Sequence, residues 1–229
     1  MIALVHFQVS GYVRSLRVLH PLIVVLLFMA LVLLQGPSGD DARTLAAGTF
    51  GDVAAFAFPV WAWTARALLD TQPDEQRALS ATAARYRPAF VLAGPLAAYA
   101  VNLCLAGLVL VAPVAQALAA GVGGTAVVTG VALNALVAAA ATVLGVWTSR
   151  AIIPDPGLSV LMLLGGVTAA LLLSLSPLSW AAVPMVEWLR AAQDGPEALV
   201  SAFPGLALHL VLWSAVLGIA YAATARNRV

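Results

Sequence analysis

Apolar residues come in six long blocks separated by short polar interruptions. The blocks cover 19–34, 47–69, 88–115, 126–148, 157–175 and 202–223. A helix needs about 20 residues to cross a hydrocarbon core of about 30 Å, so the pattern predicts six transmembrane helices. The interruptions carry residues that stop helices: Gln35-Gly36-Pro37, Gly121-Val122-Gly123-Gly124, and the tight polar connection from Arg150 to Pro156. Ahead of the first block, residues 1–18 read as an amphipathic helix. Ile2, Val5, Val9, Tyr12, Val13 and Leu16 form one stripe and His6, Ser10, Arg14 and Arg17 the other. That pattern suits a helix lying in the membrane interface; the alternative is a plain extension of the first span. Arg14 and Arg17 follow the first apolar stretch and no small-residue cleavage site comes after it, so a cleavable signal peptide is not expected.

Composition sharpens this picture. Of 229 residues 62% are hydrophobic and 9% charged, with mean hydropathy +1.00, whereas a soluble domain carries about a quarter charged residues. The fold class expected is therefore an all-α polytopic membrane protein forming a single transmembrane domain over 1–229. All eleven basic residues are arginine. Without lysine the chain can contain neither a GxxxxGK[ST] phosphate loop nor a lysine Schiff base. Its single cysteine, Cys104, allows no intrachain disulfide and no cysteine zinc cluster.

The arginines also set an orientation. With the N-terminus inside, Arg14, Arg17, Arg66, Arg77, Arg85, Arg87, Arg150, Arg226 and Arg228 fall on the cytoplasmic side. The outer segments hold only Arg43 and Arg190, among Asp40, Asp41, Glu187, Asp194 and Glu197. The positive-inside rule then predicts both termini in the cytoplasm.

Two connections are long enough to carry structure. In the segment 70–87, Thr71 suits a cap and Pro73 a first turn. Asp74 and Glu75 fall at the positive end of the helix dipole and Arg85 in the last turn. A cytoplasmic helix of about three turns is expected there, either a solvated loop helix or a rigid knob against which another protein pushes. The segment 176–200 contains Trp180 and Trp188, which suit the membrane–water interface, with Pro184 and Gly195-Pro196 as breakers. It reads as a short pair of outer helices or as an interfacial loop.

Polar residues inside the spans are costly and merit a functional hypothesis. Asp52 could pair with an outer arginine such as Arg43 or line a pathway. His209 reads as a packing residue or a pathway residue, and Asn102 and Asn134 as hydrogen-bonding residues between helices or further pathway residues. Trp61 and Trp63 are expected in the interfacial aromatic belt, and Arg66 and Arg87 as anchors that snorkel to the interface.

This layout of interfacial helix, six spans, cytoplasmic helix after the second and helical outer segment before the sixth resembles the permease subunits of type-2 ATP-binding-cassette (ABC) exporters. The string Tyr12-Val13-Arg14-Ser15-Leu16-Arg17, with Pro21 opening the first span, is similar to the start of such subunits from actinobacteria, and the lysine-free, Ala/Arg/Gly-rich usage fits a high-GC genome. The family's serine, proline and glycine pattern towards the carboxy terminus is met in part, by Ser174-Leu175-Ser176-Pro177 and Pro184. The resemblance implies a bacterial cytoplasmic-membrane protein that pairs with a second permease copy or homologue. It also implies a separate nucleotide-binding ATPase subunit, which would hold the ATP and Mg; no cofactor is expected in this chain. Asp74, Glu75, Arg77 and Arg85 would form the coupling helix, with Arg14 and Arg17 on a connecting helix beside it. An apolar, nearly uncharged wall would favour an amphipathic or hydrophobic cargo such as a peptide, lipid or drug. Membrane lipid is an expected partner and nucleic acid is not.

Other classes fit less of the sequence. A rhomboid-type serine protease would use a G-x-S-G serine, which is missing, and the fourth span has no serine. His6, His20 and His209 are scattered and no H-E-x-x-H occurs, which argues against a metal-dependent hydrolase. A secondary carrier would place ionisable groups at the midplane and show an internal repeat. That carrier, or a membrane immunity or scaffold protein, is the alternative reading.

Overall fold

A computed structural model describes residues 2–71 and 87–226, and the side chains of all of these except 87–90. The regular elements among them are helices: α1 (Ile2–Arg14), α2 (Leu19–Leu34), α3 (Ala42–Leu69), α4 (Arg87–Ala119), α5 (Gly124–Trp147), α6 (Pro156–Ser174), a 3-10 turn (Ser179–Ala181), α7 (Met185–Gln193) and α8 (Pro196–Arg226). Five helices are long and apolar enough to cross a membrane: α3, α4 from Val91, α5, α6 and α8. The pair α1 and α2, bent by 78°, makes a sixth when counted as one span. The chain thus has the helices of a multi-pass membrane protein. The coupling helix expected over 70–87, with Asp74, Glu75, Arg77 and Arg85, lies almost wholly outside the described residues.

α2 occupies the bounds expected of the first apolar block, but several helices run past theirs. α3 starts at Ala42 rather than 47, α4 continues to Ala119, and α8 begins at Pro196 rather than 202. Backbone hydrogen bonding continues as long as the local residues permit a helix, whatever their hydropathy. At α8 the break comes from Gly195, whose φ of 109° ends the preceding turn, followed by Pro196 at the first helical position. At α6 the Asp155 side chain caps the helix by accepting from Leu158 N at 2.6 Å, with Pro156 next to it.

α3 is the central post and packs against every other helix. Its tightest partner is α5, and the reason is steric. A Cβ added at Gly145 would collide with the Ala62 carbonyl oxygen, and the Phe50 ring lies directly over Gly130. Small residues let two helix backbones approach this closely, which is how membrane helices gain dispersion contacts without a hydrophobic driving force. Polar side chains reinforce the bundle by reaching neighbouring carbonyls. Tyr99 Oη donates to Ala135 O at 3.3 Å, Gln116 Nε2 to Val32 O at 2.8 Å and Trp147 Nε1 to Leu217 O at 3.0 Å.

The 176–200 segment is helical in part, and it folds back on the bundle. α7 buries Met185, Trp188, Ala191 and Ala192, a spacing that keeps them on one helical face, and that face meets α3. Ser174, at the end of α6, accepts from Val186 N at 2.9 Å and so satisfies an amide in the first turn of α7. Trp188 is 0% exposed and Trp61 1%, so neither belongs to an interfacial belt. Trp180 and Trp63 keep the exposure expected of belt residues.

The two ends of the bundle differ in charge. Contacts among Arg17, Arg66, Asp70, Arg150 and Pro156 gather the start of α2, the end of α3 and the α5–α6 connection at one end. Trp147 and Tyr221, with ring centroids 6.1 Å apart, bring the C-terminal part of α8 there too. At the opposite end Arg43 packs over the turn at Gly121 and Thr44 over Gly195.

Candidate functional site

A polar recess lies at the arginine-rich end, between α1, α2, α3 and the α5–α6 connection. It has a volume of about 340 Å³, and Arg17, Arg66, Arg150, Asp70, His20 and Trp63 are among its lining residues. α3 supplies Arg66 and Asp70 one helical turn apart, with Nη2 and Oδ2 3.6 Å apart. Arg66 does not snorkel away from the protein as expected. Its Nε donates to Ser159 Oγ on α6, and its Nη2 donates to Pro156 O at 3.3 Å. Ser159 in turn donates to Thr148 O, so the guanidinium is held from three directions.

Asp70 connects the remaining pieces. Its Oδ1 accepts from Arg150 N at 2.8 Å, and its carbonyl oxygen accepts from Arg17 Nη1 at 3.1 Å. Arg17 sits just past the elbow between α1 and α2, where Leu16 adopts φ 58°. A left-handed leucine is costly; here the turn is closed by Leu16 N to Val13 O and Leu19 N to Leu16 O, both 3.1 Å. Tyr12, fully buried under this elbow, directs its hydroxyl to Arg17 O. His20 lies against Trp63, with ring centroids 6.2 Å apart.

The residues singled out from sequence are not drawn together. Arg14 is exposed on the last turn of α1, while Arg17 lines the recess. Asp52 is half-buried on α3 beside the Gln193 side chain, which hydrogen-bonds to it; Arg43, its expected partner, lies over Gly121. Asn102 Nδ2 donates to Trp61 O at 3.0 Å and Thr142 Oγ1 at 2.9 Å, and Asn134 Nδ2 to Phe50 O at 3.1 Å and Gly130 O at 2.9 Å. Both asparagines therefore fasten neighbouring helices to α3, at points ~16 Å apart along it at 1.5 Å per residue. His209 lines a separate, largely apolar groove of about 630 Å³ on α8, with Trp180 and Trp213. Its Nε2 is buried with no hydrogen-bond partner among the described residues.

Sequence reasoning missed Asp70 and Ser159 as members of a site. The Arg66/Asp70 spacing was available as a signal, since residues four apart share a helix face. Ser159 carried none: its contact with Arg66 spans 93 residues.

Among the described residues no group of three or more His, Cys, Asp or Glu side chains could hold a metal ion. Fold and recess together define a class, an all-helical membrane protein with a structured cationic pocket at one end of its bundle. No family model matches the chain, and neither does any curated protein or solved structure.

Proposed function

We propose that the chain is the membrane-spanning permease subunit of an ATP-driven exporter of the type-2 ABC class, with six spans and both termini in the cytoplasm. It works as a dimer with a second copy or homologue, in the bacterial cytoplasmic membrane. A separate ATPase subunit supplies nucleotide, Mg and force, and the cargo is amphipathic or hydrophobic. The observation that carries this reading is the hydrogen bond from Arg17 Nη1 to Asp70 O. It ties the elbow of an N-terminal helix, turned 78° from the next, to the residue at which α3 passes into the 70–87 connection. A push on either element from the arginine-rich side is then delivered to α2 and α3 together. The excess of arginine at that end supports a cytoplasmic assignment, and the short helices before α8 match the expected layout of such permeases. That layout is an analogy of architecture and is tested through function.

The test uses the complex purified in mild detergent. An ATPase chain should accompany this one, and charge reversal at Glu75 and Arg77 should uncouple ATP hydrolysis from transport while membrane insertion stays normal. Full transport by the Glu75→Arg/Arg77→Glu variant, or the absence of any accompanying ATPase, overturns the proposal.

A further inference from the structure

We propose that the arginine recess binds the phosphate of an anionic phospholipid headgroup, with the acyl chains lying in the groove between α2 and α3. This goes beyond the exporter reading and does not depend on it.

Charge and preorganisation come first. Among the described residues three guanidinium groups, Arg17, Arg66 and Arg150, line the recess with one carboxylate, Asp70. Guanidinium N–H groups match phosphate oxygens in planar, charge-assisted hydrogen bonds. Arg66 is already fixed by Ser159 and Pro156 O, so little rotamer freedom remains to be lost on binding. Basic pockets between transmembrane helices are established headgroup sites. About 340 Å³ accommodates a phosphodiester and its glycerol, and not a whole lipid.

The surroundings favour a lipid over a soluble phosphate. His20 and Trp63 line the recess, and each begins an apolar stripe running towards the membrane interior. On α2 the stripe continues through Ile23, 55% exposed, and Leu27, 66% exposed. On α3 it continues through Val60 to Phe56, 61% exposed, whose ring meets Phe28 at 5.8 Å. A headgroup in the recess therefore has exposed apolar side chains of α2 and α3 within the next two turns of each helix. Inorganic phosphate would have no use for them.

The experiment is native mass spectrometry of the delipidated full chain with dioleoyl phosphatidylglycerol, dioleoyl phosphatidylcholine and inorganic phosphate as probes. One phosphatidylglycerol should be retained in preference to phosphatidylcholine by about fivefold or more, on the scale of one basic group near an anionic lipid. Arg17→Gln should reduce that retention by a similar factor, and Arg14→Gln, which removes an exposed charge outside the recess, should not. Equal retention of the two lipids, or equal effects of the two variants, overturns the site. Displacement of phosphatidylglycerol by millimolar inorganic phosphate overturns the lipid assignment in favour of a soluble phosphate. A second measurement needs no charge variant: chain-brominated phosphatidylglycerol should quench tryptophan fluorescence more than brominated phosphatidylcholine, and Trp63→Phe should remove the difference. Equal quenching by both lipids, or a difference that survives Trp63→Phe, rejects the groove.

Discussion

Asn102 on α4 donates its Nδ2 to the main-chain carbonyl oxygen of Trp61 on α3, at 3.0 Å, and to Thr142 Oγ1 on α5, at 2.9 Å. One amide thus fastens three helices at a single level of the bundle. Asn102→Ala should lower stability by about 1 kcal/mol, since interhelical hydrogen bonds in membranes average about 0.6 and reach about 1.7 kcal/mol. Unfolding in mixed micelles measures it, and a double-mutant cycle with Thr142→Ala should show coupling of about 0.5 kcal/mol. Zero coupling would remove the clamp.

Glycine positions give a steric contrast. A methyl group at Gly145 has to displace the Ala62 carbonyl oxygen, whereas one at Gly165 on α6 meets nothing within 4 Å. Gly145→Ala should cost about 1–3 kcal/mol through overpacking. Gly165→Ala should be neutral or slightly stabilising through helix propensity. Thermal unfolding of the two variants in the same detergent decides the matter, and similar midpoints would contradict the α3–α5 packing.

Ser159 is the support of the recess. Ser159→Ala removes the acceptor of Arg66 Nε and the donor to Thr148 O, leaving polar groups without their partners at a largely buried position. The expected loss is about 1–3 kcal/mol, larger than for an exposed ion pair. Ser201→Ala, at an exposed hydroxyl that bonds only to Ala198 O within its own helix, is the control and should leave unfolding unchanged.

Orientation can be read with single cysteines in a Cys104→Ser background, since Cys104 is the chain's own thiol. A cysteine at Ser15 should react with an impermeant maleimide only in inside-out vesicles. One at Asp194 should react only in right-side-out cells. The reverse pattern would invert the topology proposed from the arginines.

How legible all this was depends on the range of the interactions involved. The largely apolar block Leu19–Leu34 announces α2 to the residue, because span length and hydropathy are local properties. The start of α8 at Pro196 was hidden because helix formation tolerates Glu197 and Ser201, which a hydropathy reading counts as loop. Trp61 and Trp188 were misread for a different reason. Belt preference describes tryptophans in general, and only the folding of α7 onto α3 decides that Trp188 is interior. Asn102 and Asn134 were recognised as helix-bonding residues because a buried amide must find partners, but which carbonyls they choose is a property of the packed bundle. The recess was the least visible feature: Arg17, Arg66, Arg150 and Ser159 come from four places in the chain.

The elbow at Leu16 has a mechanical consequence for the surrounding lipid. By turning the chain through 78°, it leaves α2 with sixteen residues, a rise of ~24 Å at 1.5 Å per residue. That is ~6 Å less than an ordinary bilayer core of ~30 Å. Under the six-span topology proposed above, α2 would be short for the core at this corner of the protein, a hydrophobic mismatch met by local thinning or by α1 sinking below the phosphates, and either would sort the molecule towards thinner membranes.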